Sequence, residues 1–173
     1  PGLRFAIDCG TSSLIGLRRE GVDPNTVDAI LLTHLHGDHC GGVPFLLLDA
    51  MLGSKRSTPL TILGPPGTEA HLLKVQDALF PGSQIMEPKF ELEYVEIAPD
   101  STIEKAGLVI TAVEARHTLE TNPLAVRIRV GDVDIAYTGD GELTPGLSTL
   151  VAGADLLIAE SYFFDKPVKW HLN

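Results

Sequence analysis

The chain has 173 residues, 44% hydrophobic and 21% charged, enough for one globular domain with a substantial core. Thirteen Lys and Arg against 23 Asp and Glu leave a net charge of −10, which argues against a broadly basic nucleic-acid surface. No apolar run is long enough to span a bilayer, and two cysteines, Cys9 and Cys40, do not make a disulfide framework. The expectation is a cytoplasmic protein with reduced, mostly buried thiols and no membrane partner.

In chain order, residues 3–8 read as a strand. Ser12 or Ser13 is placed to cap a short helix running to Arg19, and Asp23-Pro24 opens another, with proline in the first turn. Residues 29–32, Ala-Ile-Leu-Leu, form an apolar run of the kind that makes a buried strand. Residues 43–52 read as a buried helix ended by Gly53, residues 60–63 as a short strand, and Gly64-Pro65-Pro66-Gly67 as a turn. Residues 68–80 predict an amphipathic helix with Leu72, Leu73, Val75 and Leu79 apolar; His71 on it reads as structural or solvated. Residues 90–97 alternate apolar and charged, a half-buried strand. Residues 107–115, 124–130 and 133–137 read as further strands, the last two joined by a tight hairpin at Gly131-Asp132. Thr144-Pro145 starts a helix to about Val151, and residues 155–159 read as a buried strand ending at Glu160. No repeat or linker divides the chain, so residues 1–173 read as a single α/β domain of two sheets covered by helices.

One segment carries the chemistry: Thr33-His34-Leu35-His36-Gly37-Asp38-His39, directly after the 29–32 strand. His34, His36, Asp38 and His39 are all metal-ligand types, and imidazole with carboxylate suits zinc or a similar divalent ion. On extended backbone His34 and His36 point the same way. Asp38 and His39 follow where the chain turns, so one segment offers two ligands to one ion and two to a neighbour. Cys40 adjoins them, and a metal role for it is conceivable.

This segment resembles the HxHxDH signature of the metallo-β-lactamase superfamily, an αββα four-layer fold with a one- or two-metal site. The resemblance extends to Asp8, matching a first-strand aspartate that braces a ligand histidine; to His117, matching the next metal ligand; and to Asp140 in Thr138-Gly139-Asp140, matching the carboxylate that bridges two metals. It implies that His34, His36 and His117 hold the first ion, Asp38 and His39 the second, and Asp140 both. Against that pattern an N-terminal hairpin and a C-terminal strand and helix with a last ligand histidine are expected outside residues 1–173, which would leave the second site incomplete and looser. The implied chemistry is hydrolysis by a hydroxide shared between two metals, with Asp38 orienting it or accepting its proton. Zinc is the first choice, with manganese or iron as alternatives.

Glu160, in Ile158-Ala159-Glu160-Ser161, and His171, in Lys169-Trp170-His171, look like the ribonuclease Z branch, in which a Glu–His pair beside the metals protonates the leaving oxygen. The Gly64-Pro65-Pro66-Gly67 turn resembles that branch too. Ribonuclease Z also inserts a long basic arm that grips transfer RNA; here residues 78–90 are short and hold one lysine. That departure and the acidic charge argue against transfer RNA and for a small or nucleotide-like phosphodiester. A thioester hydrolase of the glyoxalase II type, a non-catalytic metal-binding protein, and a homodimer stay open at this point.

Overall fold

The computed structural model describes residues 2–172. The chain divides into two compact units, one running to Glu96 and the other starting at Ile97.

The first unit is a parallel sheet in the order β1 (Phe5–Ile7), β2 (Ala29–Leu31), β3 (Leu60–Gly64), β4 (Leu92–Glu96). Parallel neighbours need crossovers, and helices supply them: α1 (Ser13–Arg19), α2 (Gly37–Cys40), α3 (Val43–Leu48) and α4 (Thr68–Leu79). All three residues of β2 are fully buried, as the unbroken apolar run requires. Ile30, Leu32, Leu60 and Ile62 pack in one cluster with Val43, Leu46 and Leu47 of α3 and Leu72 of α4. Because the strands are parallel, their carboxyl ends share one edge. Ile7 pairs with Leu31, so Asp8 emerges beside Leu32 and Thr33, at the mouth of the histidine segment. Carboxyl ends of parallel strands are where such folds gather their sites.

The second unit is a five-stranded sheet: β5 (Ser101–Lys105), β6 (Leu108–Glu114), β7 (Leu124–Val130) and β8 (Val133–Tyr137) form an antiparallel meander, and β9 (Leu156–Ile158) joins β8 in parallel after α5 (Pro145–Val151). In this alternation β6, β8 and β9 all run the same way. The residues just past their ends, leading to His117, Asp140 and Glu160, therefore gather at one edge. Thr144 caps α5 through its side chain, accepting from Leu147 N at 3.0 Å.

Several expectations need correction. Strand β9 is exposed rather than buried: Leu156, Leu157 and Ile158 are 48%, 50% and 43% accessible. It is an edge strand, hydrogen-bonded to β8 on one side, and among the described residues nothing covers it. Strand β5 was not foreseen. It enters a hairpin with β6 through Ala106 and Gly107, both at positive φ (51° and 77°). A two-residue loop of that kind favours Asn or Gly at its first position, so Ala106 hid the turn. The 43–52 helix is helical only to Leu48 and continues as a π-helical turn, Asp49–Gly53. Ser12 sits at the start of α1 but makes no side-chain capping bond. On α4 the buried positions are Thr68, Leu72 and Gln76, while Leu79 is exposed; Gln76 is tolerated inside because its amide donates to Ser83 O at 2.9 Å.

Two glycines let β1's exit pack on the histidine turn. A Cβ on Gly10 would stand 2.2 Å from Asp38 O, and one on Gly42 would stand 2.0 Å from Gly10 O. Gly42→Ala should therefore force the backbone apart, costing about 3 kcal/mol and on the order of 10 °C in Tm. Gly16→Ala, in open space within α1, should instead be neutral or raise Tm by a few degrees. Thermal unfolding of both variants checks this; an unchanged Tm for Gly42→Ala would refute the close approach.

Candidate metal centre

In the first unit the motif begins as extended backbone, with Leu35 buried on one side and His34 and His36 on the other. Nε2 of His34 lies 3.0 Å from Nδ1 of His36. Two nitrogens held tetrahedrally by zinc at about 2.0–2.1 Å sit about 3.3 Å apart, so the pair needs little adjustment to share an ion. The other nitrogen of His34 is already committed. Its Nδ1 donates to Thr33 Oγ1 at 3.1 Å, and that hydroxyl donates to Asp8 at 3.0 Å, which leaves the Nε2 lone pair to face a metal.

Asp8 does more than the sequence expectation assigned to it. One carboxylate oxygen accepts from Thr33 N at 2.8 Å; the other accepts from His39 Nδ1 at 2.8 Å. Its backbone is left-handed, φ 60°, and its N–H donates to Leu31 O. His39 is thereby fixed with Nε2 turned to the Asp38 side, 3.6 Å from Asp38 Oδ2. Asp38 and His39 lie on the short helix α2, and the Asp38 side chain is 78% exposed, open to solvent as a ligand or proton acceptor would be. Thr33, fully buried, is the residue sequence reasoning missed; its signal was its position between the strand and the first histidine.

Cys9 and Cys40 are free and buried. Burial pushes both thiols up to about 11, so neither is a thiolate at neutral pH. Cys40 packs in the apolar cluster with Val43 and Leu46.

In the second unit His117, Asp140 and His171 bring their ligand atoms within 4.8 Å of one another. His117 follows β6; its Nδ1 donates to the Trp170 carbonyl at 3.0 Å. Asp140 follows β8, and its Oδ2 is 3.8 Å from His171 Nδ1. Glu160 follows β9 and grips His171 Nδ1 at 2.9 Å, while its Oε1 also accepts from Gly141 N at 2.8 Å and Leu172 N at 3.3 Å. Tyr162 lays its ring against His171, centroids 4.9 Å apart. Glu142 ties the segment down by accepting from Trp170 N at 2.9 Å and pairing with Arg116 at 3.1 Å. Tyr162, Glu142 and Trp170 were not foreseen, since their partners lie far along the chain or in an irregular segment. No helix among the described residues is long and apolar enough to cross a membrane.

The family model for the beta-lactamase superfamily domain matches residues 3–173. The chain belongs to that family. Among curated relatives, Ribonuclease Z of Lachnoclostridium phytofermentans is 36% identical over 121 residues, covering 68% of this chain and 37% of that protein. Ribonuclease Z of Methanothermobacter thermautotrophicus is 26% identical over 208 residues, covering 93% and 66%. The chain thus spans about two fifths of the first of these relatives. The second alignment is longer than this whole chain, so that relative carries inserted residues that this family member lacks. Two solved structures share the fold: the metallo-beta-lactamase fold protein YhfI from Bacillus subtilis, with TM-score 0.76, 24% identity and coverage of 98% of this chain and 64% of that one, and the short form of human tRNase Z, with 0.75, 23%, 93% and 68%.

Removing the brace at Asp8 tests the first-unit geometry without touching a proposed ligand. Asp8→Ala should lower metal affinity about 10–100-fold, because His39 and His34 both lose the partner that sets their orientation. Competition against a chromogenic chelator, with circular dichroism to verify folding, reads it. A folded variant with parent-like affinity would show that Asp8 does not orient the histidines.

Proposed function

We propose that this chain is the metal-binding part of a metal-dependent hydrolase that cleaves a phosphodiester of a small, nucleotide-like substrate. In this reading His34, His36 and His117 bind one ion, Asp38 and His39 a second, and Asp140 both. Nitrogen and oxygen donors in this proportion favour zinc, with manganese or iron as alternatives. Divalent ions supply Lewis acidity, bringing the pKa of water toward about 7 and offsetting charge on phosphoryl oxygens.

The observation that carries the reading is the Glu160–His171 contact beside Asp140. A phosphodiester with an alkoxide leaving group needs a proton delivered to oxygen. Glu160 accepts the Nδ1 proton of His171 and fixes the ring, so that Nε2 is the nitrogen left to serve the leaving oxygen. Three donors hold the Glu160 carboxylate and the Tyr162 ring flanks the imidazole, which together restrain its aim. In this reading Asp38, exposed beside His39, orients the attacking water or takes its proton. A thioester substrate would have no use for such a proton donor, since a thiolate leaves unaided.

A small substrate is supported by the short, lysine-poor connection from α4 to β4, where Lys89 is the one cation. The names of the relatives favour RNA, so a transfer RNA precursor belongs in the assay.

His171→Ala should keep its bound metal and lose about 10²–10⁴-fold in turnover on a diester with an alkoxide leaving group, but much less on bis(p-nitrophenyl) phosphate, whose phenolate leaves without a proton. Equal losses would make His171 a binding residue, and no loss would remove it from the reaction. Asp140→Ala should lower metal content and hydrolysis together; full retention of both would sink the shared-carboxylate scheme. Efficient 3′ trimming of a transfer RNA precursor would overturn the small-substrate assignment, and thioester hydrolysis in place of diester hydrolysis would overturn the phosphodiester reading.

A further inference from the structure

A cavity of about 330 Å³ in the first unit lies at the opposite end of the parallel strands from the histidines, with Met51, Lys55, Arg56, Ser57, Lys89 and Phe90 in its wall. Three of the chain's 13 cationic side chains meet there, in a molecule of net charge −10. Arg56 is 3% exposed. Its Nε donates to Thr58 O at 2.8 Å, Nη1 to Pro24 O at 3.3 Å, and Nη2 to Val27 O at 2.7 Å and to Pro59 O. These carbonyls lie just before β2 and β3, which fixes the guanidinium at the amino ends of the strands.

Four of its five N–H groups are so used, and one Nη1 hydrogen remains. All four acceptors are neutral, and Arg56 forms no ion pair among the described residues. Asp28 and Asp23 are near enough to favour its charge, but one oxygen of each is engaged by a backbone N–H, of Arg4 and Asn25 respectively. A buried cation without an ionic partner is costly, and an anion entering the cavity would relieve that cost.

The surroundings fit such an anion. Lys55 and Lys89 are exposed at the rim. Lys55 holds a left-handed backbone, φ 53°, just after the π-helical turn Asp49–Gly53; interruptions of that kind recur at functional sites, and a bulky residue in that region is uncommon. Phe90, buried, has its ring 5.6 Å from the guanidinium carbon, and Met51 adds a second apolar wall. The volume is at the lower end of small-ligand sites.

We propose that this cavity binds a phosphate monoester, its phosphate facing Arg56, Lys55 and Lys89 and its apolar part resting on Met51 and Phe90. The ligand is either a free mononucleotide or the 5′-phosphate end of an oligonucleotide, which share this chemistry. The assignment is independent of the reaction proposed above.

Calorimetric titration of the metal-loaded chain with AMP, inorganic phosphate, adenosine and a 5′-phosphorylated oligoadenylate tests it, using the parent and Lys55→Ala/Lys89→Ala. AMP should bind the parent with a Kd on the order of 0.1–1 mM, weakened by salt, and the double variant should lose about five- to tenfold at unchanged Tm and metal content. Phosphate taken up by the metals does not depend on these lysines, so the difference between the two proteins reads the cavity. Lys89→Glu, a single exposed change, should weaken AMP at least as much and guards against a fold defect in the double variant. Competition by the oligonucleotide assigns the site to a polynucleotide end; absence of competition assigns it to the free mononucleotide. Adenosine binding as tightly as AMP, or parent-like AMP affinity in both variants, would overturn the proposal.

Discussion

The carboxylate of Asp8 is the interaction on which the histidine segment depends. It stands at the end of β1 in a left-handed conformation that costs an ordinary residue about 1 kcal/mol or more. In return it accepts from the backbone and hydroxyl of Thr33 and from His39. A single half-buried carboxyl group thereby locks the exits of two parallel strands together and sets the orientation of two imidazoles, one directly and one through a hydroxyl. Two glycines allow the approach: Gly10 and Gly42 bring the backbones of the β1 exit and the histidine turn to distances that any Cβ would prevent.

Strand direction does the remaining placement. In the first unit every strand runs the same way, so Asp8 and the HxHxDH segment exit on one side and the Arg56 carbonyl cage forms on the other. In the second unit β6, β8 and β9 point alike although β7 runs against them, and the polar residues that follow them assemble without any strand having to bury a charge. Loops carry these groups because their backbones can stay solvated while the sheets stay apolar. The two ends of the first unit differ accordingly: the imidazoles gather at the carboxyl ends, and Arg56, Lys55 and Lys89 at the amino ends.

How much was legible depended on range along the chain. The spacing of His34 and His36 is an i, i+2 pattern that extended backbone turns into a common face, and the structure has it so, with Leu35 buried between them. The helix start at Thr144-Pro145 and the Gly131-Asp132 hairpin were equally local, and both formed as read. The Glu160–His171 contact was expected from resemblance alone; ten intervening irregular residues give no periodicity to read. The exposure of β9 was misread because an apolar strand signals a need for cover and says nothing of which neighbour provides it.

By itself the sequence determined what nearest-neighbour stereochemistry controls: which runs alternate faces, which residues can cap or turn, and that four side chains of metal-ligand type share one short segment. Only the tertiary structure decided the pairings over long separations, such as Asp8 with His39, His117 with the Trp170 carbonyl, and Arg56 with the carbonyls before two different strands. Those contacts follow from strand order and direction. Hydrogen-bond demand at a strand end can be met by any residue the fold carries there, and no local pattern names which one.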